Sequence, residues 1–250
     1  MRLLLLGDVH GNLTALDAVL DDAAVAGYDR AICLGDALGY GPDPVSVLDR
    51  LRDQGVQPLL GNHELWLLGL PPGEPPRSVP EWALRWQADR LRAEQLDWLR
   101  TWPDQIVLDR PQGELLCAHG SPGDPWRYVD APAAAGEVFG TCSAWGCCLG
   151  HTHLPGLYRS AIGPGGRWVK YQPAGERSVQ LPLDSERFIL NPGSVGQPRD
   201  GNPAASYALL DLDGLVAELR RVDYDVRETQ RRLRAAGFPE QLAKRLELGR

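Results

Sequence analysis

Four consecutive leucines, Leu3 to Leu6, read as a buried strand, and Gly7 to Asn12 ends the run as a polar turn. Apolar residues then recur at Leu13, Leu16, Val19 and Leu20, the spacing of one helical face. The same order returns. Arg30–Leu34 reads as a strand ending at Gly35-Asp36, Pro44–Gln54 as a helix, and Val56–Leu60 as a strand ending at Gly61-Asn62-His63. Strands alternating with helices predict a parallel sheet with right-handed crossovers, whose ligands collect beyond the carboxyl ends of the strands. Each polar turn falls at such an end.

Leu70–Pro80 holds prolines at 71, 72, 75, 76 and 80 and reads as a loop. A helical segment follows from about 81 to 99, with Trp82, Trp86 and Trp98 assigned to core packing. Leu115–Ala118 and Cys147–Leu149 read as strands, with a short helix around Ala131–Phe139 between them. The pattern then turns to β at Leu157–Ala161, Arg167–Gln172, Arg187–Leu190, Tyr207–Leu212 and Leu215–Val222. A charged helix closes the chain from Val226 to Leu248. No repeat or linker divides it, so residues 1–250 are expected to form one domain on two packed sheets.

Composition adds exclusions. With 250 residues, 43% hydrophobic and 24% charged, the chain can bury a large core and is not disordered. No apolar run approaches the ~20 residues of a membrane span, and no cleavage site follows Leu3–Leu6, so a soluble protein without an export signal is expected. The 33 acidic residues exceed the 26 basic ones, and a net charge of −7 argues against broad nucleic-acid binding. The Arg220–Arg234 segment reads as a solvated face balanced by Asp223, Asp225 and Glu228. Five cysteines, with no pair of C-x-x-C units, suit reduced thiols in the cytoplasm; Cys33 and Cys117 are expected to fill strand ends.

All five histidines lie in the strand-end turns: His10, His63, His119, His151 and His153. One such histidine would be read as structural. Five, joined by Asp8, Asp36 and Asn62, are read as metal ligands, because imidazole with carboxylate and amide oxygen suits Mn, Fe, Co, Ni or Zn. The absence of thiolate from these turns argues against a closed structural zinc site. In Asp8-x-His10 and His151-x-His153 the alternation of a strand lets both side chains point to one side. No P-loop or H-E-x-x-H occurs, and neither Ser121 nor Ser194 sits in G-x-S-x-G.

The ordered series Asp8-x-His10-Gly11-Asn12, Gly35-Asp36, Gly61-Asn62-His63-Glu64, His119 and Gly150-His151-Thr152-His153 resembles the signature of calcineurin-like metallophosphoesterases. Gly39-Tyr40-Gly41-Pro42 and Asn191-Pro192-Gly193-Ser194-Val195-Gly196 are similar to the small bacterial and archaeal phosphodiesterase-like branch. The resemblance implies a four-layer α/β/β/α sandwich of two mixed sheets. It also implies one metal on Asp8, His10, Asp36 and His153 and a second on Asp36, Asn62, His119 and His151, with Asp36 bridging. His63 would stand outside both sets beside the leaving group, and Glu64 would act as a structural acid. Two divalent cations, with Mn expected and Fe, Ni, Co or Zn as alternatives, would leave the site about +2 against its two carboxylates, attracting phosphate despite the acidic surface. A bridging water acidified by ions ~3.5–4 Å apart would attack in line.

These expectations describe a dinuclear phosphoesterase acting on a phosphodiester or nucleotide phosphoanhydride. A protein phosphatase or dinucleoside polyphosphate hydrolase is the alternative, but the sequence after Asp36 is Ala-Leu-Gly-Tyr-Gly and lacks the Asp-Arg-Gly those families direct at phosphate. A non-catalytic scaffold on the same fold would have lost ligands, and none is missing here. Without a motif arginine, a diester is expected to be favoured over a monoester, unless Arg199 folds over the site. Asn12, Tyr40 and Arg199 are the expected substrate contacts, although turn geometry alone explains the Gly35–Pro44 and Asn191–Gly201 loops well.

Overall fold

A computed structural model describes residues 1–69, 76–163, 166–173, 178–182 and 186–250. In β1 (Arg2–Leu6), Leu3 and Leu5 enter one apolar cluster while Leu4 and Leu6 enter another on the opposite face. A strand buried on both faces needs leucine at every position, and each burial contributes about 1.5–3 kcal/mol.

β1 lies inside a six-stranded sheet ordered β3 (Gln57–Pro58), β2 (Arg30–Cys33), β1, β11 (Ala205–Asp211), β12 (Val216–Val222) and β9 (Ser178–Gln180). The second sheet runs β4 (Gln105–Arg110), β5 (Gly113–Ala118), β6 (Gly146–Leu149), β10 (Arg187–Asn191), β7 (Gly156–Gly163) and β8 (Gly166–Pro173). Both sheets are mixed. β1, β2 and β3 are mutually parallel in the first, as are β5, β6 and β10 in the second. Leu3, Leu5 and Ile32 from one sheet meet Leu115, Cys117, Cys148, Phe188 and Leu190 from the other. The outer face of the first sheet is covered by α1 (Leu13–Ala26) and α2 (Pro44–Asp53), that of the second by α6 (Pro132–Thr141). The layers are therefore α/β/β/α. Cys33 and Cys117 fill buried strand positions.

Several elements differ from the reading of the sequence. The expected helix over 226–248 is two, α7 (Val226–Ala235) and α8 (Glu240–Leu248), because Gly237 takes φ 77° and Pro239 follows. The segment 81–99 also divides, into α4 (Val79–Ala88) and α5 (Ala93–Leu99), where the Gln95 side chain accepts the Arg92 N–H and starts a new helix. Of the Leu70–Pro80 loop, residues 70–75 lie outside the described residues; Val79 and Pro80 already belong to the first turn of α4, where proline's missing N–H does no harm. The polar Asn62-His63-Glu64 opens α3 (Asn62–Leu68), and β4 pairs antiparallel with β5; neither is apparent in the sequence pattern. The third strand is shorter than expected, since Pro58 offers no N–H to a ladder.

The tryptophans pack as expected: Trp82 and Trp86 meet Phe238 edge-on, and Trp98 meets Trp102. Arg220 and Arg221 lie on β12, with Arg220 paired to Asp22; on α7, Arg231 and Arg232 pair with Glu228 and Asp225 is the N-cap.

Candidate metal centre

The carboxyl ends of the parallel strands of both sheets converge. β1 delivers Asp8 and His10, β2 Asp36, the first turn of α3 after β3 Asn62 and His63, β5 His119, and β6 His151 and His153. All eight are at most 7% exposed. Asp8, His10, Asp36, Tyr40, His151 and His153 take φ between 50° and 68°, and among the described non-glycine residues only Leu215 shares that region. Left-handed backbone is strained for such side chains and persists where the surroundings fix it. Here it turns each side chain inward immediately after its strand. Gly61 allows Asp36 a close approach, since a Cβ there would lie 2.2 Å from Asp36 Oδ1.

Backbone carbonyls set the tautomers. His10 Nδ1 donates to Leu38 O at 2.8 Å, His119 Nδ1 to Leu34 O at 2.8 Å, His153 Nδ1 to Gln197 O at 2.6 Å, and His151 Nε2 to Trp126 O at 3.1 Å. A carbonyl only accepts, so each neutral ring presents its remaining lone pair to the centre. Those lone pairs face each other. His10 Nε2 stands 3.2 Å from His153 Nε2, and His119 Nε2 3.1 Å from His151 Nδ1. Only a cation or a proton between them relieves the repulsion. Asp36 Oδ2 lies 3.8 Å from His10 Nε2 and 3.4 Å from His119 Nε2; Asp8 Oδ1 lies 3.5 Å from His153 Nε2, and Asn62 Oδ1 2.9 Å from His119 Nε2. Ligand atoms of Asp8, His10 and His153 lie within 4.8 Å of one another, as do those of Asp36, His119 and His151 and those of His10, Asp36 and His63. The donor set fits hard-to-borderline divalent metal.

Charge is distributed accordingly. Burial pushes Asp36 up, but the imidazoles of His119 and His63 outweigh it and hold the carboxyl well below the usual range. Burial opposes charge on His119, yet the Asp36 carboxylate raises it to about 9. Burial raises Asp8 to about 7 and lowers His10 and His153 well below the ordinary imidazole value. Burial and the charge of His119 bring His151 to about 4.

Glu64 ties the loops together. Its carboxylate accepts the N–H groups of Asp36, Leu38 and Gly61 at 2.8–2.9 Å. Glu64→Ala leaves three buried donors unpaired, each worth about 1–3 kcal/mol, so denaturant unfolding should show a loss of about 3 kcal/mol or more. A loss below about 1 kcal/mol would show that these bonds do not brace the site. Gln87 on α4 braces the next loop by accepting from Gly39 N and donating to Gly41 O. Asn191 donates to Gly150 O and Thr152 Oγ1 and so supports the His151–His153 turn. No local signal in the sequence marks Gln87. Asn12, offered by the sequence as a substrate contact, instead caps α1 through Ala15 N and donates to Gly196 O, and it is 1% exposed. Its side chain thereby holds the loops together.

His63 differs from the other four histidines. Its backbone N–H fixes Asp36 Oδ1 at 2.9 Å, but its ring Nδ1 has no hydrogen-bond partner among the described residues. Its Nε2 is 3.9 Å from Asp36 Oδ2. Tyr40 packs against the rings of both His10 and His63, at 4.7 and 4.8 Å. Burial lowers the imidazoles of His63 and His153 below their ordinary value, and the charge of Arg199, whose Cζ lies 6.0 Å from the Tyr40 ring, lowers them further. The arginine that could supply a clamp is therefore beside the site. Tyr128, not marked by the sequence, stacks on His151 at 4.0 Å. Among the described residues a cavity of about 210 Å³ opens next to His119, lined by Leu60, Leu65, Asp104, Ser121 and Asp124.

Two mixed sheets in an α/β/β/α stack, with aspartate, asparagine and histidine gathered at the carboxyl ends of their parallel strands, define a metallophosphoesterase. Residues 1–215 match the calcineurin-like phosphoesterase superfamily domain, and the chain belongs to that family. It is 31% identical over 247 residues to the uncharacterized protein MJ0912 of Methanocaldococcus jannaschii, covering 98% of this chain and 97% of the other. A symmetrical bis(5'-nucleosyl)-tetraphosphatase of Acidovorax sp. strain JS42 is 35% identical over 146 residues, 55% of this chain and 50% of that protein. The crystal structure of a metallophosphoesterase from Sphaerobacter thermophilus superposes with a TM-score of 0.85 at 35% identity, covering 100% of this chain and 99% of that one. The chain is thus a phosphoric ester hydrolase of the metal-dependent kind.

Proposed function

We propose that the protein is a dinuclear phosphoesterase that hydrolyses a phosphodiester or a nucleotide phosphoanhydride by in-line attack of water-derived hydroxide. The observation that carries this reading is the pair of facing imidazole couples, His10 with His153 and His119 with His151, on either side of Asp36. Asp8, His10, Asp36 and His153 would hold one ion and Asp36, Asn62, His119 and His151 the other, with Mn favoured and Fe, Co, Ni or Zn compatible. When bound, such ions supply Lewis-acid charge, acidify water and neutralise phosphoryl oxygens. Asp36 is fixed by the His63 N–H and serves both sets. Buried His63, outside both, donates the proton to the departing oxygen. The substrate's own negative charge favours that proton. The cavity beside His119 gives the organic part of a substrate room to lie next to the centre.

The likeness to a tetraphosphatase over about half of each chain supports the anhydride arm. The segment after Asp36, Ala37-Leu38-Gly39-Tyr40, supplies no arginine and speaks against a protein phosphatase. A scaffold without catalysis has no reason to keep every donor aimed inward. Packing of α7 and α8 against Ala83 of α4 and beside Tyr40 supports one domain over 1–250. Among the described residues no helix is long and apolar enough to cross a membrane. The five unpaired thiols suit the cytoplasm. Turnover of mono-, di- and polyphosphate substrates by Mn²⁺-reconstituted protein tests the proposal: hydrolysis of a diester or anhydride is expected, and inactivity on the whole panel would refute it.

Metal affinity should depend on pH. In the metal-free protein Asp8 titrates near 7 and His119 near 9, so an entering ion must displace protons at neutral pH. Affinity is expected to rise from pH 6 to about 9, with proton release read from calorimetry in buffers of different ionisation enthalpy. A flat profile over that range would contradict the ligand assignment.

A further inference from the structure

We propose that Arg199 and Arg245 form a second anion site at the mouth of the metal centre, which takes the phosphate neighbouring the one under attack. The inference rests on the phosphoesterase reading and deepens it, selecting a phosphoanhydride or polyphosphate chain over a simple diester. Arg245 comes from α8, far from every motif in sequence, yet its Cζ lies 5.7 Å from the Tyr40 ring, as that of Arg199 lies at 6.0 Å. The same ring touches His10 and His63. Both guanidiniums therefore gather on the aromatic wall of the centre.

Neither has an aspartate or glutamate carboxylate within 4.0 Å among the described residues, whereas Arg231, Arg232 and Arg234 on neighbouring α7 are all paired with glutamate. Arg199 hydrogen-bonds Gln197 Oε1 at 3.2 Å, and its buried Nε has no acceptor. Arg245 donates through Nε to the carbonyl of Arg250 at 2.8 Å. Burial and the like charge of Arg199 lower the pKa of Arg245. Two partly buried cations about one ring, close enough for the charge of one to disfavour that of the other and one with an unsatisfied donor, are relieved by an anion that both can reach. The ligand is a phosphate oxygen cluster, because guanidinium forks match phosphate geometry and the adjoining centre is built for the same group. A one-phosphate diester placed on the metals would leave this pair unanswered. A phosphoanhydride brings a second phosphate, the group this pair matches.

The test uses Mn²⁺-reconstituted full-length protein and two non-hydrolysable probes, methylphosphonate and methylenediphosphonate, titrated by calorimetry. A charge-assisted contact contributes about 1.5–3 kcal/mol, so wild type should bind the diphosphonate about tenfold or more tightly than the monophosphonate. Arg245→Gln, which keeps the packing stem, and Arg199→Gln should each reduce that ratio to about threefold or less, while Arg245→Lys should recover part of it. Unfolding midpoints check that the variants are folded. An unchanged ratio in both glutamine variants overturns the second site. Hydrolysis of bis-p-nitrophenyl phosphate by the same preparations separates the two ideas: activity with an unchanged ratio removes only the anion site, and inactivity with neither probe bound removes the phosphoesterase reading with it.

Discussion

Asp36→Asn is expected to lose most of the second metal equivalent and about 10³-fold or more in kcat/KM, because the charge stabilisation that metals supply is worth several kcal/mol. The reason is positional. Its Oδ2 lies within 3.4–3.9 Å of ring nitrogens of His10, His63 and His119, and its Oδ1 is held by the His63 N–H. Asparagine keeps the shape and that hydrogen bond but removes the one charge that faces both histidine sets. Elemental analysis after Mn²⁺ reconstitution and turnover of bis-p-nitrophenyl phosphate give the two readouts. Full metal content with unimpaired turnover in the variant would show that Asp36 does not bridge.

His63→Ala should lower kcat by about 10²–10⁴-fold with metal content unchanged, the range that a positioned general acid contributes. His63 is the site histidine for which, among the described residues, neither ring nitrogen bonds a backbone carbonyl, so no carbonyl turns its lone pair toward an ion as in the other four. The leaving group provides the control. Nitrophenolate departs as a weak base and should suffer less from the substitution than an alkoxide; equal losses would assign His63 a role in positioning only. Gly39 offers an independent check, because a Cβ there would stand 2.0 Å from His63 Nδ1. Gly39→Ala should therefore displace the ring and reproduce part of the loss.

Much of this centre is legible in the sequence because its ligands follow immediately after strands that announce themselves. Leu3–Leu6 and Arg30–Leu34 are apolar enough to be strands in any reading, and the turns behind them carry Asp8, His10 and Asp36. What escapes is long-range support. Gln87 reaches the Gly39–Gly41 loop from a helix more than forty residues later, and Arg245 reaches Tyr40 from the last helix. Neither has a neighbour in sequence that explains it. Asn12 shows the opposite case: it sits inside a motif, yet its side chain caps α1 and bonds Gly196 and Thr229, partners that the motif does not reveal. The break between α7 and α8 was marked by Gly237 and Pro239, yet the continuous charge pattern of that segment concealed it.

The measurement closest to the central claim is anomalous scattering from a crystal of the wild-type protein soaked in Mn²⁺. The account predicts two peaks, one among Asp8, His10 and His153 and one among Asn62, His119 and His151, with Asp36 contacting both. A single peak, or none within reach of Asp36, would contradict the dinuclear centre.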